Sequence, residues 1–306
     1  MFKTALILIF TIIIVPIIAF KFGAPLSDLQ SETLMTLVYT CLGIAVACFV
    51  IAEVSKNYSQ TDKLWSITPI IYSWIAVAYS DWNTRMIFLA ILVTIWGVRL
   101  TYNFNRRGGY SLKFWEGDED YRWAVLQQKD PFNKKWVFSL FNLFFISLYQ
   151  HFLILLFTLP IILSMHETAI GLFDIILAVA LVGLVYVEWL ADLQQFEYQT
   201  EKHKRINNNE KLEILYEKGF THTGLWAKMR HPNYAAEQSI WIVFYVFSVL
   251  ATGSIINWSI IGCLLLVVLF KSSSDFSEEI SASKYPEYSK YQATVGRFIP
   301  KLKTKS

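Results

Sequence analysis

Eight apolar runs constrain the fold of this chain more than any other feature of its sequence. Several are close to the roughly 20 residues that a helix needs to cross a bilayer. Hydrophobic residues make up 55% and charged residues 17% of the 306 positions, whereas soluble domains carry about 25% charged residues. This composition excludes a disordered chain, a disulfide scaffold and an ordinary cytosolic enzyme. The runs cover approximately 4–20, 34–52, 64–79, 86–98, 137–160, 169–190, 238–252 and 255–270.

The positions of lysine and arginine test this membrane map independently. With a cytosolic N-terminus, 25 of the 27 Lys and Arg residues fall on the cytosolic side, and only Lys21 and Arg85 fall outside. The positive-inside rule expects such an asymmetry. We therefore predict an all-α polytopic membrane protein with about eight transmembrane helices, in a range of about seven to ten, and both termini in the cytosol. Segments 99–136, 191–237 and 271–306 then form a cytosol-facing polar cap.

Several classes of function have no support in the sequence. The three cysteines lie in apolar runs without a CxxC pair, and the five histidines show no paired spacing, so neither a disulfide framework nor a metal site is expected. The net charge of +3 is too small to indicate nucleic-acid binding. The common nucleotide-binding, zinc-protease and serine-hydrolase motifs are absent from the sequence. The first run lacks a small-residue cleavage site, so we interpret it as a membrane helix rather than a signal peptide.

The densest group of chemically competent residues lies between Gly224 and Gln238. Pro232 suits the first turn of a helix, and the free N–H groups there, together with the Arg230 guanidinium, favour an anion. The alternative is an interfacial belt in which Trp226 anchors the chain and Arg230 meets lipid phosphate. The polar residues concerned are Arg230, His231, Asn233, Tyr234 and Glu237.

A second group surrounds the inner end of the sixth apolar run. Glu188 and Asp192 are one turn apart, and acidic residues near membrane depth usually face a cavity or a partner. The alternative is a helix end that has already reached water. The basic cluster that follows could hold a nucleotide phosphate or lie on anionic lipid. That cluster consists of Lys202, Lys204 and Arg205.

Two further groups lie in the other polar segments. Arg106 and Arg107 precede a double glycine, which indicates a turn, and the composition around them favours a solvated, salt-bridged loop. In the tail, tyrosines at three-residue spacing alternate with lysines. This stripe could stack on an aromatic ring and bind phosphate, or lie flat in the headgroup region. The tail residues are Lys284, Tyr285, Tyr288, Lys290 and Tyr291.

Five sequence pieces, in order, carry a resemblance to a known family. The pieces WGVRLTYNF, EDYRW, VEWLADLQQF, GLWAKMRHPNY and KYPEYSKY resemble the DUF1295 family, one of the steroid 5-alpha-reductase-like membrane proteins, which are similar to sterol C14-reductases. The RHPxY core is also shared with isoprenylcysteine carboxyl methyltransferases. The resemblance implies a single membrane domain over 1–306, with N-terminal helices in 1–98 and a reductase-like region with cytosolic NADPH-binding loops in 99–306.

The resemblance also implies which residues contact the cofactor. Trp226, Asn233 and Tyr234 match cofactor-contacting positions of the sterol reductases. Ser281 stands where that family's CxxKY-like element has cysteine, Tyr291 is offset by one residue, and Ala236 replaces a common glycine. We expect phosphates near the basic residues, and a buried carboxyl group as proton donor. The predicted cofactor-binding residues are Lys204, Arg205, Trp226, Arg230, His231, Asn233, Tyr234, Ser281, Lys284, Tyr285 and Tyr291, and the predicted catalytic residues are Glu188, Asp192 and Glu237.

Three hypotheses about function follow. The first is an NADPH-dependent reductase of an unsaturated or oxidised, lipid-like substrate, with no metal and no nucleic acid involved. The second is a membrane methyltransferase that uses S-adenosylmethionine, motivated by RHPNY and Glu237. The third is a membrane scaffold that kept the fold and lost catalysis. The expected location is the endoplasmic reticulum membrane in a eukaryote or the inner membrane in a bacterium.

Overall fold

Long apolar helices dominate the structure. The computed structural model describes residues 12–21, 23–166 and 169–301, and within these ranges it contains helices and no β-strand. Six helical segments of this described chain are long and apolar enough to cross a membrane, and two shorter apolar helices accompany them. The prediction of an all-α integral membrane protein is therefore confirmed. Residues 4–11 of the first predicted run lie outside the described residues.

Contacts between residues divide the chain into two compact units. Unit 1 comprises Met1–Val182 and Trp241–Val268, and unit 2 comprises Gly183–Ile240 and Leu269–Ser306. The boundary expected between residues 98 and 99 lies inside unit 1. The first helices are α1 (Ile12–Lys21), α2 (Asp28–Ser55), α3 (Gln60–Leu64), α4 (Thr68–Tyr79), α5 (Thr84–Arg106), α6 (Tyr121–Gln127) and α7 (Lys135–Phe141).

The remaining helices include a π-helix and a 3-10 turn. The π-helix Asn142–Tyr149 continues directly from α7 into α8, so the three form one apolar segment together with α9. A π-helix of this length is rare, and such segments occur frequently at functional sites. The later elements are α8 (Gln150–Thr158), α9 (Pro160–Leu163), α10 (Leu172–Asn207), α11 (Ile214–Glu217), the 3-10 turn Gly224–Ala227, α12 (Pro232–Thr252), α13 (Ile260–Lys284) and α14 (Tyr288–Thr294).

Local sequence signals explain where the membrane helices begin. A capping box opens α2: the Gln30 backbone N–H donates to Ser27 Oγ at 3.2 Å, and the Ser27 N–H donates to Gln30 Oε1 at 3.0 Å. Asn83 caps α5 by accepting the Arg85 N–H at 2.9 Å. These side chains satisfy backbone donors that have no partner within their own helix. The N-terminal ends of α2 and α5 are therefore specified by residues next to them in the sequence.

Arg85, one of the two cations predicted outside, lies in the interior of unit 1. Its Nη2 donates to Asp174 Oδ1 at 2.8 Å and to the Phe247 carbonyl at 3.1 Å, and both charged side chains are buried. A buried arginine requires such a partner, because an unpaired charge away from water is very costly. The positive charge of Arg85, which departs from the one-sided distribution of Lys and Arg, is therefore neutralised by Asp174 inside unit 1. Arg122, in the first turn of α6, pairs with Asp120, the residue that caps this helix, at 2.6 Å.

The polar segments differ from the expected loops. α10 continues through Asn207 and α13 through Lys284, so much of the predicted loop 191–237 and of the predicted tail 271–306 is helical. Hydropathy marks where a helix leaves the apolar layer, whereas the backbone hydrogen bonds of the helix can continue beyond that point. Residues such as Glu, Gln and Lys favour such an extension.

Candidate functional site

Glu278 is the centre of a buried ionic network in unit 2. Arg230 binds it through one edge of the guanidinium, with Nε donating to Oε1 at 2.8 Å and Nη2 donating to Oε2 at 3.2 Å. Its carboxylate also contacts His231 Nε2 at 2.9 Å and accepts from Gln292 Nε2 at 2.8 Å. Arg297 adds a second guanidinium at 3.4 Å. Bidentate pairing fixes orientation as well as charge, so this network determines the position of Arg230.

Backbone hydrogen bonds hold the turn Arg230–His231–Pro232–Asn233, here called the RHPN turn, against the segment 295–297. The Arg230 N–H donates to the Gly296 carbonyl at 2.8 Å and the His231 N–H to the Arg297 carbonyl at 3.1 Å. The Arg230 side chain donates further to the carbonyls of Gln292 and Val295. The guanidinium is thus engaged within unit 2 by the Glu278 carboxylate and two backbone carbonyls.

His231 is a neutral member of this network. Burial lowers its pKa from the usual range, and the favourable contact with Glu278 only partly offsets that effect. The neutral imidazole then carries its proton on Nε2, where it can donate to Glu278 Oε1. The ring stacks on Tyr234, with centroids 5.3 Å apart and planes at 14°. His231 therefore fixes the orientation of Tyr234, the next aromatic residue along α12.

The three predicted acids lie inside unit 2. The exposed fractions of Glu188, Asp192 and Glu237 are only 4%, 3% and 3%. Asn233 Nδ2 donates to Asp192 Oδ1 at 3.1 Å, which joins the RHPN turn to α10. The alternative interpretation, in which Glu188 and Asp192 occupy a helix end that has reached water, is therefore wrong. α10 continues beyond both residues, and packing within the unit covers them.

Trp226 connects the 3-10 turn to two other elements. Its indole Nε1 donates to the Ala191 carbonyl of α10 at 3.0 Å, and its own carbonyl accepts from the Tyr291 hydroxyl. Gly224, with a φ of +59°, lets the backbone approach α10, where a Cβ would meet the Gln194 side chain. Trp226 and Tyr291, which are 65 residues apart, thus belong to one packed structure.

Aromatic rings from the tail pack around Phe220. Tyr288 and Tyr291 lie 5.0 and 5.1 Å from its centroid, and Tyr285 lies at 5.9 Å. Burial raises the pKa of both Tyr288 and Tyr291. Buried rings cannot lie flat in a headgroup layer, so that alternative is wrong for these two. The described helix α14 begins at Tyr288, so Tyr285 precedes it rather than continuing its stripe.

Cations surround the one tail tyrosine that is only partly buried. Lys202 Nζ and Lys284 Nζ lie 5.7 and 5.4 Å from the Tyr285 ring centroid. Lys202 is buried and donates to the Gly219 carbonyl at 2.8 Å, whereas Lys284 is exposed. Ser281, one turn before, accepts the Tyr285 N–H through its carbonyl at 2.8 Å. Ser281, Lys284 and Tyr285 thus share one helix end.

The two basic residues at the end of α10, Lys204 and Arg205, differ in their contacts. Arg205 pairs with Glu201 at 2.7 Å and with Glu213 at 2.8 Å, and its guanidinium lies 5.3 Å from the Tyr216 ring. Lys204 is exposed. Of these two predicted phosphate ligands, Lys204 can therefore reach a ligand without giving up a contact that the structure records.

The loop 219–224 contains a buried hydroxyl group without a partner. Neither Thr221 Oγ1 in this loop nor Gln195 Oε1 on α10 has a hydrogen-bond partner among the described residues. Most buried polar groups in proteins are paired, so each exception needs an explanation. Glycines with positive φ lie at both ends of this loop, at Gly219 and Gly224. The Thr221 hydroxyl can donate a hydrogen bond, as a phosphate oxygen requires, whereas the Gln195 amide oxygen can only accept one.

Sequence reasoning missed the residue at the centre of this network. Glu278 lies 48 residues from Arg230, and nothing in the local pattern SSSDFSEE indicates a partner for either residue. The same applies to Arg297 and to Phe220. An acidic residue in a helix that begins apolar usually faces a partner, but the sequence does not identify which residue that partner is.

Comparison with known proteins identifies the family. The sequence model of the family described as "Protein of unknown function (DUF1295)" matches residues 48–295. The chain is 38% identical over 261 residues to "Uncharacterized protein C594.04c" of Schizosaccharomyces pombe (strain 972 / ATCC 24843), an alignment that covers 81% of this chain and 74% of the relative. No solved structure matches the chain. The family match includes the RHPN turn and Glu278, and it ends just before Gly296. The chain belongs to the DUF1295 family.

Proposed function

We propose that this protein is an NADPH-dependent membrane reductase that acts on an unsaturated or oxidised, lipid-like substrate. One observation carries the proposal: unit 2 gathers the residues that resemble cofactor-contacting positions, although they come from distant parts of the sequence. Asn233 donates to Asp192, the Tyr291 hydroxyl donates to the Trp226 carbonyl, and the Trp226 indole donates to the carbonyl of Ala191, the residue before Asp192. The resemblance to steroid 5-alpha-reductase-like proteins supplies the chemistry, and it extends to no particular substrate.

Exposed cations and partly buried aromatic residues of unit 2 are the proposed cofactor contacts. Lys204 and Lys284 bind phosphate, and Tyr285 offers a ring face for stacking. Thr221 Oγ1 provides a hydrogen-bonding group that has no partner among the described residues. Arg230 and His231 hold the turn that carries Asn233 and Tyr234, and these two positioning residues need not touch the cofactor.

The buried acids provide the proposed proton. NADPH, when bound, supplies a hydride to an electron-poor carbon, and the product then needs a proton. Asp192 is held in place by Asn233 at 3.1 Å, and Glu188 and Glu237 lie buried in the same unit. A carboxyl group positioned beside the substrate can deliver that proton as a general acid. Asp192 is the preferred donor, because its position is fixed by a hydrogen bond from the RHPN turn.

Binding of the cofactor tests this function directly. The purified protein in detergent is heated with NADPH, NADH or S-adenosylmethionine, and its unfolding temperature is recorded. A ligand that binds only the folded state at about 100 times its Kd stabilises it by about 2.7 kcal/mol. We expect stabilisation by NADPH. Lys284→Gln weakens the effect, and Lys290→Gln, an exposed lysine on α14, serves as the matched control.

The other outcomes separate the alternatives. Stabilisation by S-adenosylmethionine alone would identify the methyltransferase that the RHPNY element also suggests. If the folded protein is stabilised by none of the three ligands, the reductase hypothesis is refuted and the scaffold hypothesis remains. An equal loss of NADPH binding in Lys284→Gln and Lys290→Gln would contradict the assignment of Lys284. We further propose residence in the endoplasmic reticulum membrane in a eukaryotic source or in the inner membrane in a bacterial one.

A further inference from the structure

The chain between α5 and α6, in unit 1, forms a loop with a narrow neck. The neck begins directly after α5 and is closed by the Asp118 N–H, which donates to the Gly108 carbonyl at 2.8 Å. Gly117 has a φ of +114°, and a Cβ there would overlap the Gly109 carbonyl. Glycine adopts this conformation without strain, so the two strands of the neck can approach closely. Residues 111–116, between the two sides of the neck, are here called the tip.

The backbone of the tip is held by the segment that follows α2. Every carbonyl group from residue 113 to residue 117 accepts a hydrogen bond, and four of these five bonds come from side chains of residues 57–63. The fifth donor is the Glu116 N–H, which bonds the Lys113 carbonyl at 2.8 Å. Because α2 ends at Ser55, the tip is tied to the ends of two membrane helices. The side-chain donors, at 2.5 to 3.1 Å, are Asn57, Gln60 and Lys63.

The apolar side chains of the tip, by contrast, are exposed. Leu112 is fully exposed, and the exposed fractions of Phe114 and Trp115 are 62% and 41%. The two aromatic rings contact each other edge to face, with centroids 4.8 Å apart and planes at 81°. Single exposed apolar residues are common, but a group of large ones marks an interaction site. The tip therefore combines a fixed backbone with large apolar side chains that the fold does not bury.

The exposed apolar surface of the two membrane helices extends to the base of this loop. Val54, the next-to-last residue of α2, is 80% exposed, and Val98 and Tyr102, near the end of α5, are both 59% exposed. On a helix that crosses a membrane, exposed apolar side chains contact lipid. The surface in contact with lipid thus continues to the points where the tip is attached.

The bonded backbone and the charge of the tip both suit a bilayer. Water can satisfy the carbonyl groups of a surface loop, whereas lipid cannot, so polar backbone groups in a bilayer need partners within the protein. The five bonded carbonyls meet this requirement. Tryptophan is enriched where membrane meets water. Lys113 pairs with Glu116 at 3.1 Å, and residues 111–116 carry no net charge, so binding does not require anionic lipid.

We propose that the tip is a lipid anchor, in which Leu112, Phe114 and Trp115 insert into the interfacial layer of the bilayer that α2 and α5 span. The Lys113–Glu116 pair stays among the headgroups. Through Lys63, Gln60 and Asn57, the anchor fixes the position of segment 57–63 relative to the membrane surface. This inference concerns residues of unit 1 and does not depend on cofactor binding by unit 2.

Fluorescence quenching in a bilayer tests the anchor. Leu112→Cys is labelled with the environment-sensitive fluorophore NBD and placed in phosphatidylcholine nanodiscs, which leave both membrane faces accessible. The substitution replaces a fully exposed side chain, and the three native cysteines are buried. Lipids that carry a nitroxide on the upper acyl chain should lower the emission at least about twofold, because interfacial segments lie about 5–10 Å into the headgroup and acyl boundary. Iodide in the water should quench it weakly.

Two controls separate insertion of the tip from other causes of quenching. Gln128→Cys, at an exposed polar position after α6, should show the reverse pattern, with strong iodide quenching and weak nitroxide quenching. Serine at both Phe114 and Trp115 should reduce nitroxide quenching of the label at Leu112→Cys, whereas unchanged quenching would mean that the label itself inserts and would overturn the proposal. Strong iodide quenching at Leu112→Cys would place the tip in water, and protection from both quenchers would indicate a protein partner. Either result would overturn the proposal, as would equal nitroxide quenching at both labelled positions.

Discussion

Replacement of Arg230 by alanine should destabilise the protein far more than the same change at Arg205. Both arginines bind carboxylates, but the exposed fraction of the side chain is 9% for Arg230 and 21% for Arg205. The partner of Arg230, Glu278, is 2% exposed, whereas the Arg205 partners Glu201 and Glu213 are 34% and 61% exposed. The two substitutions therefore form a matched pair that differs in burial.

The expected magnitudes follow from what each substitution leaves behind. Without Arg230, the Glu278 carboxylate stays buried and loses a bidentate partner, and breaking a buried pair in this way costs about 3–5 kcal/mol. His231 and Arg297 still contact Glu278, so we expect the lower end, about 3 kcal/mol. Without Arg205, the acids simply return to water, and exposed pairs contribute at most about 1 kcal/mol. The expected difference is about 2 kcal/mol.

Unfolding in mixed micelles measures this difference. The fraction unfolded is followed by tryptophan fluorescence as the mole fraction of SDS increases, and the free energy of unfolding is obtained for the wild type and both variants. Arg230→Lys should be nearly as unstable as Arg230→Ala, because one ammonium cannot reproduce contacts to Glu278 and two carbonyls. If the Arg205 and Arg230 variants lose the same free energy, burial does not control the strength of this network.

Three further measurements test other parts of the structure. Gly219→Ala should lower the unfolding temperature, because the φ of Gly219 is +79° and a Cβ there would overlap the Tyr285 ring. Gly183→Ala, where a Cβ would meet nothing within 4 Å, should instead raise the free energy of unfolding by about 0.5–1 kcal/mol. Equal effects of the two substitutions would contradict this geometry. Because burial lowers the pKa of His231 in the folded protein, the unfolded chain binds more protons below about pH 6.5. The free energy of unfolding of the wild type should therefore fall by up to about 1.4 kcal/mol per pH unit as the pH decreases. This dependence on pH should be weaker in His231→Gln, and an unchanged dependence would show that His231 is not its source. Arg85→Ala should lower the free energy of unfolding by about 3–5 kcal/mol, because it leaves the Asp174 carboxylate buried without its partner. Replacement of both Arg85 and Asp174 by leucine should recover most of this loss. If the losses of the two single substitutions simply add in the double variant, this reasoning is wrong.

The membrane helices were predictable because their signal is contained in each segment. A run of apolar residues and the one-sided distribution of Lys and Arg arise from the transfer of side chains between water and lipid, and neither depends on a distant partner. The extensions of α10 and α13 into polar sequence were not predictable in this way. Residues 191–207 contain no apolar signal for a membrane helix, and what continues α10 is its backbone hydrogen bonding and its packing within unit 2.

The candidate site was predictable only where its residues are local. Arg230, His231 and Asn233 stand out because they are close together before a helix. Their partner Glu278 could not be identified, because a salt bridge between residues 48 positions apart has no signature in a single sequence. The π-helix is similarly hidden, since Asn142–Tyr149 has the composition of any apolar helix. Backbone register of that kind is a result of packing against the rest of unit 1.

The attachment of the RHPN turn to segment 295–297 has a consequence for biosynthesis. The guanidinium of Arg230 binds the carbonyl of a residue that the ribosome adds 65 positions later. During that interval α13 must be made and inserted while Arg230 has neither Glu278 nor these carbonyls. A newly inserted chain therefore exposes an incomplete cationic turn to the quality-control machinery. Arrest of translation before Val295 should leave this region sensitive to protease, and release of the arrest should protect it.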